Sequence, residues 1–179
     1  MSGYDICPAG RVVVGVSGSL RSVTALCRAA AEARRREAQL WPVLAWEPPG
    51  GELAARRTPA PPALVAEWQR AARQRLLDVL DEFFGEAGPP GVPLHGLVVR
   101  ATPGLALVET ANREDDILVV GAGRRRWYRA FSGRVARYCL AHATCPVLAV
   151  PPSPLEEALA SMHRRNTWRL PLSARKLPC

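Results

Sequence analysis

DDILVVGAGRRRWYRAFSGRVARYCLAHATCPVLAV, residues 115–150, is the stretch whose reading decides the fold. Residues 117–120 (ILVV) form a short continuous apolar run, the pattern of a buried strand. A loop with Gly121 and Gly123 follows, Gly133 opens a helix reaching about residue 142, and Pro146 begins a second strand ending at 150. Small residues after a strand and at a helix start let backbone N–H groups come close to an anion. This is the layout of a phosphate-binding loop, here filled with Arg124, Arg125, Arg126 and Arg129.

Working outward, the same alternation recurs. Residues 11–17 (RVVVGVS) have the continuous β-branched character of a central parallel strand, and Gly18 and Ser19 make the turn, with Ser19 as N-cap. The next helix carries Leu20, Val23, Cys27 and Ala30 at helical spacing and ends in three arginines, 34–36, at the negative end of its dipole. Residues 40–46 predict a second strand, although Pro42 cannot donate to a ladder. Residues 47–62 are Pro/Gly-rich and read as a mobile loop, and 63–84 as a long amphipathic helix with Val65, Trp68, Ala72, Leu76, Val79 and Phe83 on one face. Residues 92–99 predict the third strand, and Thr102-Pro103 an N-cap and first helical position, with Leu105 and Val108 turned inward.

Five strands alternating with four helices imply an α/β fold, a five-stranded parallel doubly wound sheet with helices on both faces. Ligands bind such sheets beyond the carboxyl ends of the strands, where the strand order reverses. If the first and fourth strands are neighbours, the crevice lies between residues 16–19 and 121–133. Residues 1–9 read as a flexible N-terminus and 10–150 as the domain. Residues 151–179 read as a basic, Pro-containing extension with a short helix at 155–163. The extension's basic residues are Arg164, Arg165, Arg169, Arg175 and Lys176, against Glu156 and Glu157.

The 179 residues suffice for one domain with a real core, and 48% are apolar. No apolar run reaches the roughly 18–20 residues of a membrane helix, and the start lacks a secretory pattern, so the expected location is cytoplasmic. The net charge is +8, and every basic residue except Lys176 is arginine. That bias fits solvated helix faces first and a polyanion partner second. The five cysteines (Cys7, Cys27, Cys139, Cys145 and Cys179) include no C-x-x-C pair, which argues against zinc or a disulfide framework. Cys27 and Cys139 read as small core hydrophobes.

The segments VVVGVSGS, LVVGAG and SGRVARYCLAHATCPVLAV together resemble the universal stress protein (UspA) family over residues 10–150. The resemblance implies the UspA type of adenine nucleotide alpha hydrolase-like fold, a homodimer through the fifth strand, and ATP as the candidate cofactor. It places a nucleotide pocket at Gly15, Val16, Ser17, Trp46, Val120, Gly121, Gly123, Gly133, Arg134 and Val135. ATP-binding members carry Gly-x-x-Gly, nine residues, then Gly-Ser/Thr. Here the run is Gly121-Ala-Gly123, nine residues, then Gly133-Arg134. Ser17 stands at the family's Asp, and Trp46 where an aliphatic residue packs on adenine. Arg134 can clamp a phosphate, Ser17 bond a ribose and Trp46 stack on a base. Equally, Trp46 and Arg134 can fill the pocket.

Other motifs carry less. Residues 121–126 (GAGRRR) lack the final glycine of a dinucleotide fingerprint, and no G-K-[ST] occurs. GVSGS at 15–19 misses the last glycine of a nucleophile elbow, with no acid–His pair to complete a triad. His95, His142 and His163 are too dispersed for a metal site, and Asp115-Asp116 reads as a strand-entry turn. RRRWYR at 124–129 is compatible with single-stranded nucleic acid but equally with a phosphate lid or a solvated loop. The expectation is therefore a stress-response or regulatory module without catalytic or metal residues, with protein partners open and no membrane or nucleic-acid role. The alternatives are a sensor of ATP or another phosphorylated ligand at the Gly121–Gly133 loop, and a weak ATP-hydrolysing enzyme.

Overall fold

The apolar run after Gly10 forms β1 (Arg11–Gly15), the middle strand of a five-stranded sheet in the computed structural model. The structure describes residues 10–17, 20–85, 88–89, 91–122 and 133–153. Around β1 lie β2 (Gln39–Trp46), β3 (Leu97–Arg100), β4 (Ile117–Gly121) and β5 (Val147–Val150), in the order β3-β2-β1-β4-β5. Every pairing is parallel, with Arg11 opposite Gln39 on one side of β1 and Val12 opposite Ile117 on the other. Strand order thus reverses between β1 and β4, which meets the condition under which the crevice falls between residues 16–19 and 121–133.

Alternation along the strands divides the core in two. Val12 and Val14 of β1, Leu40 and Leu44 of β2 and Val119 of β4 face α1 (Leu20–Arg35) and α3 (Pro62–Phe84). Val13, Val43, Leu118 and Val120 face the opposite layer, α4 (Pro103–Thr110) and α5 (Arg134–His142). Both faces of the central strands are buried, which explains their unbroken apolar sequence.

Pro42 sits in β2 because its missing N–H points to the weaker side. Gln39 donates to the Gly10 carbonyl (3.0 Å) and the Val43 carbonyl accepts from Val16 (2.8 Å), so odd positions face β1. Leu40 faces the other way, donating to Pro93 and accepting from His95, both at 2.9 Å. Pro42 therefore faces β3, where the ladder is only an isolated Leu40–Leu94 bridge before β3 begins at Leu97. The strand expected at 92–99 is accordingly shortened to Leu97–Arg100.

Four expectations are corrected. Residues 47–62 contain a helix, α2 (Gly51–Arg57), so there are five helices among the described residues. Gly50 and Gly51 (φ +83° and +81°) turn the chain into it, and Glu52 holds it to Arg100 at 3.2 Å. Cys27 is exposed, because α1 buries Ser22, Ala25, Leu26, Ala29, Ala30 and Ala33 instead. These small residues let α1 lie close on β1 and β4. Leu105 is also exposed, since Gly104, Ala106 and Leu107 form the inner face of α4. Thr102 occupies the α4 N-cap position, yet its side chain makes no capping hydrogen bond. The expected flexible N-terminus, the Ser19 cap, the helix at 155–163 and the RRRWYR segment lie outside the described residues.

At the amino ends of β1 and β4, Asp116 is buried and accepts from Arg11 Nε (2.8 Å) and a terminal guanidinium nitrogen (2.6 Å). The same terminal nitrogen also donates to the Asn112 side chain (2.9 Å) and the Thr110 carbonyl (3.2 Å). Arg113 N–H donates to Asp116 at 3.0 Å, and the Trp41 ring lies 4.9 Å beneath the guanidinium. Hydrogen bonding to Asp116 holds the Arg11 pKa above its ordinary value. Asp116 is thus the strand-entry residue its sequence position suggests. At the end of α1, Arg36 and Arg35 bond Glu32 and lower its pKa, which places two arginines of the 34–36 triplet on a solvated helix end.

Asp116→Ala should lower unfolding free energy by about 3–5 kcal/mol in urea titrations, because it leaves a buried guanidinium unpaired. An Arg11→Met/Asp116→Leu double variant should lose clearly less. Thiol reactivity should separate equally sharply. Burial pushes the Cys139 thiol up to about 11 and raises that of Cys145. Mass mapping after iodoacetamide treatment at neutral pH should find Cys27 modified, and Cys139 and Cys145 modified only after unfolding.

Candidate functional site

The carboxyl ends of β1 and β4 diverge around a cavity of about 350 Å³. Gly15, Val16 and Ser17 form one wall, and Val120 and Gly121 another. Gly133, Arg134 and Val135 bring the start of α5 to its edge. Eight of the ten residues expected at the pocket therefore line one cavity. Gly123 lies outside the described residues. Trp46 is not among the lining residues: its ring packs against the α1/α3 core, with the Arg100 guanidinium 5.8 Å from its centroid.

Residues the sequence reading missed complete the wall: Ser22, Val43, Leu44, Ala45, Arg75, Pro103 and Leu107. Val43 to Ala45 follow from the adjacency of β2 to the end of β1, a consequence of strand order. Leu107 reaches the cavity because Gly15 leaves room for it; a Cβ at Gly15 would lie 3.0 Å from Leu107 Cδ1. Arg75 has no local signal, since it is an exposed residue beside the buried Ala72–Leu76 stripe of α3.

The lining is apolar except for backbone, two serines and two arginines, and it contains no Asp or Glu. Neither Arg75 nor Arg134 takes part in an ion pair among the described residues. The first intrahelical hydrogen bond of α5 runs from Arg137 to Gly133 at 3.0 Å. The N–H groups of the preceding turn have no helical acceptor, and they carry the positive end of the helix dipole at the cavity edge. The N-cap residue, Gly133, has no side chain with which to cap them. The arrangement suits an anionic group attached to an apolar or planar body. Among the described residues no group of three or more His, Cys, Asp or Glu could hold a metal ion. No described helix is long and apolar enough to cross a membrane.

The position of α5 depends on Gly104. A Cβ there would lie 2.7–3.0 Å from Tyr138 Cδ1, Cγ and Cβ, so α4 and α5 can meet only at glycine. Tyr138 in turn stacks on His142 at 4.2 Å, and the His142 ring nitrogen lies 2.9 Å from the Tyr138 carbonyl. Gly133 differs: its φ is −84°, and a Cβ would make only ordinary contacts, 3.4 Å to Ala136 and 3.5 Å to the Ala122 carbonyl oxygen. Packing among the described residues does not require glycine at 133.

A doubly wound α/β domain, with a cavity at the strand-order reversal and a glycine-led helix beside it, is the class these features define. The sequence matches the universal stress protein family over residues 9–151, and the chain belongs to that family. It is similar to the universal stress protein of Archaeoglobus fulgidus at 26% identity and a TM-score of 0.55, over 79% of this chain and 98% of that one. A universal stress protein solved in complex with cAMP is 25% identical, with a TM-score of 0.52, over 82% and 99% of the two chains. A protein of the same family from Burkholderia pseudomallei, 22% identical with a TM-score of 0.52 over 82% and 98%, agrees in fold.

Gly104→Val should destabilise the protein by about 1–3 kcal/mol through overpacking against Tyr138. Gly133→Ala should leave the midpoint of thermal unfolding near wild type, because the backbone there accepts a side chain without strain. Parallel thermal melts of the two variants measure the contrast.

Proposed function

We propose that this chain is a non-catalytic nucleotide-binding regulatory module of the cytoplasm, and that its ligand sits in the cavity between β1 and β4. The observation that carries this reading is the cavity itself. It joins an apolar body formed by Val16, Val43, Leu44, Leu107 and Val120 to Arg134 and the first turn of α5, whose N–H groups have no acceptor within the helix. The apolar part suits a base, and the edge a phosphate. The cAMP bound by the 25%-identical relative supports an adenine nucleotide as the ligand class. ATP is one candidate within that class. The absence of carboxylates from the described lining supports binding without turnover, since neither a general base nor a metal ligand stands at the cavity. A weak ATP-hydrolysing activity is the less supported alternative.

Pairing of two copies belongs to the same proposal. β5 is an edge strand whose four residues are all half-buried, which supports association along that edge.

Calorimetry with AMP, cAMP, ADP and ATP on the purified protein tests the reading. The expected result is saturable binding that Arg134→Glu abolishes and that is accompanied by no release of phosphate from ATP. If no adenine nucleotide binds the native protein at millimolar concentration, the reading is wrong and the domain works through its surfaces.

A further inference from the structure

Arg75 reaches the cavity from α3, in the layer opposite the one that supplies Arg134. Two arginines from separate helical layers thus border one space, and neither takes part in an ion pair among the described residues. Glu52, at the same carboxyl end of the sheet, is bonded to Arg100. A magnesium ion bound with a nucleotide keeps several waters and is normally held by one or two protein carboxylates. Here the described wall has none, and its fixed charges repel a dication.

We infer that Arg75 and Arg134 form a two-guanidinium clamp that takes the ligand's phosphates free of metal, so that Mg²⁺ weakens binding instead of supporting it. The inference rests on the phosphate-binding reading of the cavity but specifies the form of the ligand. Guanidinium supplies the neutralisation that the metal provides elsewhere, with planar paired donors matched to phosphate oxygens. Chelation of the phosphates by Mg²⁺ lowers the charge the clamp recognises and occupies phosphate oxygens it would bond. Arg75 is a specificity residue in this scheme: it distinguishes phosphorylated from unphosphorylated ligands and leaves the apolar part of the cavity unchanged. Its exposed position on α3 means that substitution leaves the buried Ala72, Leu76 and Leu80 contacts intact.

The test compares adenosine, ADP, ATP and tripolyphosphate by calorimetry, each in EDTA and in excess Mg²⁺, on the full chain and on Arg75→Ala and Arg75→Lys. Expected are tighter binding of ATP and ADP in EDTA than in Mg²⁺, and about tenfold weaker ADP binding in Arg75→Ala, consistent with loss of one charge-assisted contact. Arg75→Lys should recover most of the loss, and adenosine affinity should stay within about twofold, as expected where only a phosphate contact is lost. Tighter binding with Mg²⁺, or equal losses for adenosine and ADP in Arg75→Ala, overturns the clamp while nucleotide binding stands. Arg75-dependent binding of tripolyphosphate without any nucleotide binding supports the clamp and sinks the nucleotide reading. Binding of none of the four overturns both.

Discussion

The Arg11–Asp116 pair is the constraint on which the geometry of the molecule turns. It ties the first residue of β1 to the residue preceding β4, two strands separated by some hundred residues of chain but adjacent in the sheet. A buried ion pair adds little net stability over a well-packed apolar pair, whereas one buried charge without its partner is costly. Slipping β4 by one residue would turn Asp116 to the other face and leave both charges buried alone. The pair therefore selects the register in which Val12 meets Ile117. That register also decides how far each strand extends at the opposite end, where Gly15 and Gly121 border the cavity. An interaction at the amino ends of the strands thus positions a site at their carboxyl ends.

From this frame the legible and illegible parts of the sequence separate on physical grounds. β1 and β4 are buried on both faces, so their composition alone identifies them, and the glycines after them mark the crevice. Pro42 looks wrong for a strand because its neighbours on the two sides are not equivalent; only the pairing shows that its missing donor faces the broken part of the β3 ladder. The helix α2 buries nothing, so no apolar periodicity announces it within its proline-rich surroundings. The rotation of α1 away from Cys27 follows from a preference for small residues at a close helix–sheet contact. Counting apolar side chains does not capture that preference. Arg75 is legible least of all: its place at the cavity comes from the approach of α3, and nothing in its neighbourhood in the chain signals it.

Trp46 shows how one end of the sheet distributes its charges. Its ring lies beneath Arg100, and Arg100 in turn bonds Glu52 on α2. The aromatic surface and one nearby carboxylate are both committed to an arginine outside the cavity. Arg75 and Arg134, which take part in no ion pair among the described residues, border a space whose remaining walls are mostly apolar. The surplus of arginine is thus not equivalent at all positions: at the end of α1 it is partly neutralised by Glu32, while at the crevice Arg75 and Arg134 have no ion-pair partner among the described residues. An anionic group at the crevice would supply the compensation that no ion pair among the described residues provides.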